Sequence, residues 1–232
     1  MKTLVIIPAY NEEKNIAATV TELRRSCPAL DVVVVNDGSR DATGELCRAM
    51  GVPVLELPVN LGIGGCVQTG YRYALERGYA AAVQFDADGQ HPADALPALL
   101  EPIERDEADL VVGSRFVGGA GFRSSAMRRA GIIFLSGLVH ALCGVHVRDI
   151  TSGMRAAGPR AIALFAADYA QDYPEPESVL AAGLCGLRIR EAAVEMRPRQ
   201  GGESSITALG GAYYMIKVSL SLILRRIFFR RG

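Results

Sequence analysis

Ala81-Ala82-Val83-Gln84-Phe85-Asp86-Ala87-Asp88-Gly89-Gln90-His91 is a short apolar run that ends in two carboxylates. A run of this length, closed by a glycine turn, reads as a buried strand. Asp86 and Asp88 then stand just past its carboxyl end, where open parallel sheets bind their ligands. Two carboxylates so close repel each other unless a cation or protons neutralise them. Mg²⁺ and Mn²⁺ favour oxygen ligands and commonly join one or two carboxylates to a substrate's phosphates. A solvated turn would use the same residues, but two further polar turns accompany this one. His91 is either a further ligand or the hydrogen-bonding residue that fixes the turn ahead of Pro92.

Working outward, the pattern alternates between two periods. Apolar runs predict strands over residues 3–7, 32–35, 54–57, 81–85, 109–112 and 187–194. Helical spacing lies between them, over residues 11–25, 41–50, 66–77 and 92–105. Asn11 is placed to cap the first helix, with Glu12 and Glu13 at its positive end. Strands alternating with helices imply parallel crossovers and a doubly wound α/β sheet.

The pattern changes after Arg115. Residues 117–125 are rich in Gly and Ser and read as a mobile loop. Residues 127–147 form an apolar helix that begins with Arg128 and Arg129; it is either core or a surface for membrane or lipid. Residues 213–229 are helical again. Tyr213, Ile216, Leu220, Ile223 and Ile227 share one face, and Lys217, Ser221 and Arg225 another. That amphipathic, basic tail over 206–232, beyond a main domain of 1–205, fits a membrane-surface contact or an oligomer face.

Bulk composition narrows the classes. The chain has 232 residues, 50% hydrophobic, enough to bury a core. Its 25 basic and 25 acidic residues cancel, which gives no general attraction to nucleic acid. Five scattered cysteines read as buried hydrophobes of a reduced compartment rather than disulfides or a zinc site. A strand at residue 3 leaves no room for a signal peptide, and no apolar run suits a spanning helix. The expected location is the cytoplasm or the cytoplasmic face of a membrane.

Two other turns carry polar chemistry. In Pro8-Ala9-Tyr10-Asn11-Glu12, backbone N–H groups at a helix start can face a ligand beside the Tyr10 ring; an ordinary capped turn looks the same. In Asn36-Asp37-Gly38-Ser39, Asp37 is placed to accept from a base or ribose, or to form a capping turn with Ser39 and Asp41. Asn60-Leu61-Gly62-Ile63-Gly64-Gly65 lacks a full dinucleotide fingerprint, and tight helix packing explains its glycines.

These segments, in this order, resemble the family 2 glycosyltransferases of the GT-A fold. Gly113-Ser114-Arg115 and Asp149-Ile150-Thr151-Ser152-Gly153-Met154-Arg155 extend the match, which runs from residue 3 to about 205. The likeness is nearest the branch of dolichyl-phosphate mannose synthase and bacterial polyprenyl-phosphate sugar transferases. It implies a mostly parallel, mixed sheet with flanking helices. It also implies that Pro8, Tyr10, Glu12 and Asp37 hold a nucleotide, and that Asp86 and Asp88 bind Mg²⁺ or Mn²⁺ with Gln90 beside them. Arg115 and Arg199 would meet phosphates, and Arg128 or Arg129 matches an acceptor-loop arginine. Where relatives often place a lysine after the Gly202-Glu203-Ser204 position, this chain has Ser205 and Ile206.

The implied reaction inverts a sugar during transfer from a nucleoside diphosphate to a polyprenyl phosphate or lipid-linked sugar. Metal and arginines would stabilise the leaving diphosphate. A sugar hydroxyl acceptor needs a general base, for which Glu175 or Glu177 is placed; an ionised phosphate acceptor does not. Asp172 to Glu177 is equally a surface loop or an acid-capped helix start. A nucleotidyltransferase would carry a basic glycine loop after the first strand, which Pro8–Glu12 lacks. The other alternative is a non-catalytic nucleotide-sugar-binding or scaffold subunit.

Overall fold

The chain is described from a computed structural model covering residues 1–118, 126–197 and 208–229. β1 (Thr3–Ala9) is buried along its whole length, because its apolar run is covered on both faces. It pairs in parallel with β2 (Asp31–Asn36) on one side and β4 (Ala81–Gln84) on the other. β3 (Val54–Glu56) extends the sheet beyond β2. β5 (Leu110–Ser114), β6 (Arg155–Ala157) and β7 (Ile189–Ala193) complete it in the order β3-β2-β1-β4-β6-β5-β7. β6 runs antiparallel to both its neighbours, so the sheet is mixed. The order reverses at β1 and β4, and the crevice beyond their carboxyl ends is the place for a ligand.

The helices follow from what each sheet face must bury. α1 (Ile16–Ser26), α2 (Thr43–Ala49) and α4 (Leu96–Glu104) cover one face around Val5, Val34 and Val83. α3 (Gly62–Glu76) and α6 (Pro159–Ala167) cover the other, around Leu4, Ile6 and Val33. α5 (Ala126–Cys143), α7 (Pro174–Leu184) and α8 (Ala208–Phe228) enclose a third apolar cluster with Val112.

Two local expectations change. Asn11 does not cap a helix: its φ is +55°, and α1 begins only at Ile16, after Glu12 C=O accepts from Asn15 and Ile16. α3 starts a turn early, at Gly62 rather than Cys66. Its glycines admit the neighbouring chain, since a Cβ on Gly64 would stand 2.0 Å from the Ala170 carbonyl oxygen. Gly64 N–H then donates to Gln171 C=O at 3.1 Å, so the expected tight helix packing is what the glycines serve. In α8 the stripe of Tyr213, Ile216, Leu220, Ile223 and Ile227 faces outward, as a contact surface would, while Val218 and Leu222 are fully buried. Lys217 and Arg225 turn inward to Asp172 and Asp168.

Candidate active site

Side-chain hydrogen bonds stitch together the turns after β1 and β2. Asn11 Oδ1 accepts from Arg40 N–H, and Asn11 N–H donates to Ser39 Oγ. Glu12 N–H donates to Thr43 Oγ1 at 2.8 Å, and Glu13 N–H to Asp41 Oδ2 at 3.1 Å. Burial works against ionisation of Asp41, but the hydrogen bonds from Thr43 and Glu13 outweigh it and hold the carboxyl low. Asp37 is 3% exposed; its N–H donates to Ala9 C=O, and its Oδ1 accepts from Leu61 N–H at 2.7 Å. It therefore ties the Asn60–Gly65 loop to the crevice. Pro8 lies past the end of the β1–β4 ladder at Ile6↔Gln84, where its missing N–H costs no bond on that side. Tyr10 is exposed at the rim.

The acidic turn follows β4. Asp86 N–H donates to His91 Nδ1 at 2.9 Å, and His91 Nε2 lies 3.5 Å from Asp86 Oδ2. His91 thus fixes the turn, the second of its two readings. Gly89, at φ +76°, takes a left-handed conformation that favours glycine. Asp88 is 6% exposed and accepts from Gln90 N–H, and Gln90 C=O accepts from Arg197 N–H. Thr19 Oγ1 donates to Ala87 C=O beneath.

The donor set fits a hard divalent cation. Asp86 is partly open, and a Cβ on Gly153 would stand 3.0 Å from its Oδ2, so only glycine leaves that space. Among the described residues no group of three or more His, Cys, Asp or Glu side chains forms a metal cage. Two carboxylates completed by substrate phosphates suit Mg²⁺ or Mn²⁺ better than an all-protein site would. The field of Asp37 and Asp86, after burial, helps push the Cys66 thiol beneath them up to about 12.

The facing wall comes from residues far along the chain. Arg155 is fully buried between Ser152 C=O, Ile150 C=O and Ser178 Oγ. Glu175, near the start of α7, lies within the fields of Arg155 and Asp86. Loss of hydration pushes its carboxyl up, Asp86 adds to that, and Arg155 opposes it. Glu177 turns instead toward α8, with Arg225 Nη1 3.7 Å away. Glu175 is therefore within the field of the acidic turn.

Arg115 has a partner that the sequence reading did not supply. Asp149 takes its guanidinium in a two-bond fork at 2.7 and 2.6 Å and also accepts its backbone N–H. Arg128, on the first turn of α5, lies beside Arg115; loss of hydration and that like charge both lower its affinity for a proton. Arg129 is exposed on the same turn. Arg199, the Gly202-Glu203-Ser204 segment and most of the 117–125 loop lie outside the described residues. Sequence reasoning gave no role to Arg155. A lone arginine at the head of the short apolar β6 was the one available signal.

Residues 4–162 match the family model described as Glycosyl transferase family 2. An undecaprenyl-phosphate mannosyltransferase of Micrococcus luteus is 37% identical over 216 residues, covering 89% of this chain and 88% of that protein. A polyprenol monophosphomannose synthase of Mycolicibacterium smegmatis is 38% identical over 165 residues, covering 67% of this chain and 61% of that protein. In structure, glucosyl-3-phosphoglycerate synthase from Mycobacterium tuberculosis, solved with Mn²⁺, uridine diphosphate and phosphoglyceric acid, superposes with a TM-score of 0.73. It is 20% identical, and the match covers 100% of this chain and 80% of that one. The sheet order, the acidic turn at its switch point and the matched length make this chain a member of glycosyltransferase family 2, with the GT-A fold.

Proposed function

We propose that this glycosyltransferase moves a sugar from a nucleoside diphosphate to a polyprenyl phosphate or lipid-linked sugar. The observation that carries the reading is the Asp86–Asp88 turn at the switch-point crevice, with the Glu175 carboxyl within the field of Asp86. Pro8, Tyr10, Glu12 and Asp37 line the side where the base and ribose would lie, and Gln90 stands beside the acids. Asp86 and Asp88 would hold Mg²⁺ or Mn²⁺, which supplies charge stabilisation to the departing diphosphate. The named relatives from Micrococcus and Mycolicibacterium support a phosphate acceptor, for which no general base is required.

The reading extends to the outside of the molecule. No helix among the described residues is long and apolar enough to cross a membrane. Yet α5 exposes Met127, Ile133 and Phe134, and α8 packs beside it with Gly131 3.3 Å from Met215 Sδ, measured to an added Cβ. These two outward apolar faces support peripheral contact with the membrane that carries the acceptor.

Calorimetric titration with UDP, GDP and CDP in the presence of Mn²⁺ tests the core of this reading. One nucleotide binds the wild type in a metal-dependent way, and Asp88→Ala weakens it by about 100-fold or more. A well-folded wild type that binds none of them would move the function to the non-catalytic scaffold.

A further inference from the structure

Gln84 is the odd residue of β4. The rest of that strand is apolar and buried, yet Gln84, 1% exposed, carries an amide into the face of Leu4, Ile6 and Ala82. Its Cα stands opposite Ile6 on β1 and Arg155 on β6, in the middle of the sheet. An amide buried there costs free energy unless both of its ends are hydrogen-bonded.

Both ends are. Tyr169, just beyond α6 and 5% exposed, donates its hydroxyl to Gln84 Oε1 at 3.3 Å. Gln84 Nε2 in turn donates to Asp86 Oδ1 at 3.4 Å. Burial first, and Tyr71 next, push the Tyr169 phenol well above its usual range, so it keeps the proton that it donates. An amide turned over would set its oxygen against the Asp86 carboxylate. Phenol and carboxylate thus select one orientation between them. Gly153 backs the contact, since a Cβ there would stand 3.3 Å from Gln84 Nε2 and 3.0 Å from Asp86 Oδ2. On the other side of the carboxylate, His91 Nε2 lies 3.5 Å from Oδ2.

We propose that Gln84, held by Tyr169, is a positioning residue for the acidic turn: it fixes the rotation of the Asp86 carboxylate that would hold Mg²⁺ or Mn²⁺. This rests on the metal role proposed above for Asp86. A neutral amide suits the task, because it orients the carboxylate without cancelling the charge that attracts a cation. Tyr169 is itself seated among Tyr71 and Phe165, with ring centroids 5.5 and 5.3 Å away. The aromatic cluster under α3 and α6 is therefore coupled to the metal site through one line of hydrogen bonds.

The full chain is titrated with Mn²⁺ in the presence of UDP, GDP or CDP, and with each nucleotide at fixed Mn²⁺. Gln84→Met keeps the length of the side chain and removes both polar ends. It is expected to weaken Mn²⁺ binding by about 10-fold or more, as loss of a group that orients a metal ligand does. Tyr169→Phe keeps the ring and removes only the hydroxyl, with a loss of about 2- to 5-fold expected. Raising Mn²⁺ in proportion should return the nucleotide affinity of both variants to the wild-type value, because only occupancy by the cation has changed. Tyr71→Phe is the control: its hydroxyl is buried in the same cluster but has no hydrogen-bond partner among the described residues, so Mn²⁺ affinity should not change. Wild-type-like Mn²⁺ affinity in either Gln84→Met or Tyr169→Phe overturns the assignment. So does a loss that excess Mn²⁺ fails to restore, or an equal loss in Tyr71→Phe, since either would make the line a matter of packing. A wild type that binds no nucleotide, or binds one regardless of Mn²⁺, overturns the metal reading itself, and this inference with it.

Discussion

The two walls of the crevice are held together by different forces. The N-terminal wall, after β1 and β2, is stitched mainly by short polar side chains bonded to backbone N–H groups, as at Asp37, Asp41 and Thr43. The C-terminal wall depends on charges removed from water: Arg115 on Asp149, and the buried Arg155 on its carbonyl and hydroxyl partners. Bonds of the first kind contribute modestly and independently. Charges of the second kind stabilise only while every partner is present. The first wall should therefore tolerate change gradually, and the second should fail abruptly.

The largest effect expected from this contrast is at Asp149. Asp149→Ala leaves the Arg115 guanidinium buried without its carboxylate, and should cost about 3–5 kcal/mol in urea unfolding. Adding Arg115→Met should recover much of that loss. A single-mutant cost below about 1 kcal/mol would erase the distinction between the walls.

Asp41 sets the scale for the other wall. Asp41→Ala removes bonds to Glu13 N–H, Thr43 N–H and Thr43 Oγ1, and should cost about 1–2 kcal/mol. Its carboxyl titrates below the ordinary value when folded, so this stabilisation is present above the unfolded-state pKa. It disappears as pH falls through the lowered one. Stability of wild type and mutant should therefore converge in acid, which a pH series of melting curves would show.

Glu175 should give the smallest change and the opposite sign. Its folded-state pKa is raised, so ionising it costs stability as pH climbs from the usual carboxylate range through the raised value. Glu175→Gln should melt a few degrees above wild type at neutral pH, with the gain shrinking as pH falls below that window. A mutant that melts lower at neutral pH would mean the carboxylate is compensated by Arg155 rather than strained by its burial.

The same division explains what the sequence made legible. β1, β2 and β4 are apolar runs with acids at their ends, and both the strands and the positions of Asp37, Asp86 and Asp88 could be read directly. Local pattern carries no such sign for β6. Its three residues, Arg-Ala-Ala, have no β-branched side chain, and the strand exists because β4 and β5 offer ladders to either side. Pairing also escapes local reading: the Arg115–Asp149 fork spans 34 positions and the Lys217–Asp172 bond 45. In α8 the helix and its outward apolar stripe were readable, but the ion-pair partners of its basic face were not. Asp168 and Asp172 draw the cations in, leaving the larger apolar stripe outside.

The antiparallel β6 also constrains how the chain reaches its native state. Ala82 waits for Ala157, and Leu110 for the same residue, before the middle of the sheet is filled. On a ribosome, β4 and β5 emerge with facing edges open, and among the described residues the strand that fills the gap begins only at Arg155. Such long-range closure slows folding and leaves a nascent species prone to strand-to-strand association. Truncations made to isolate the N-terminal half should therefore aggregate unless they extend past Ala157.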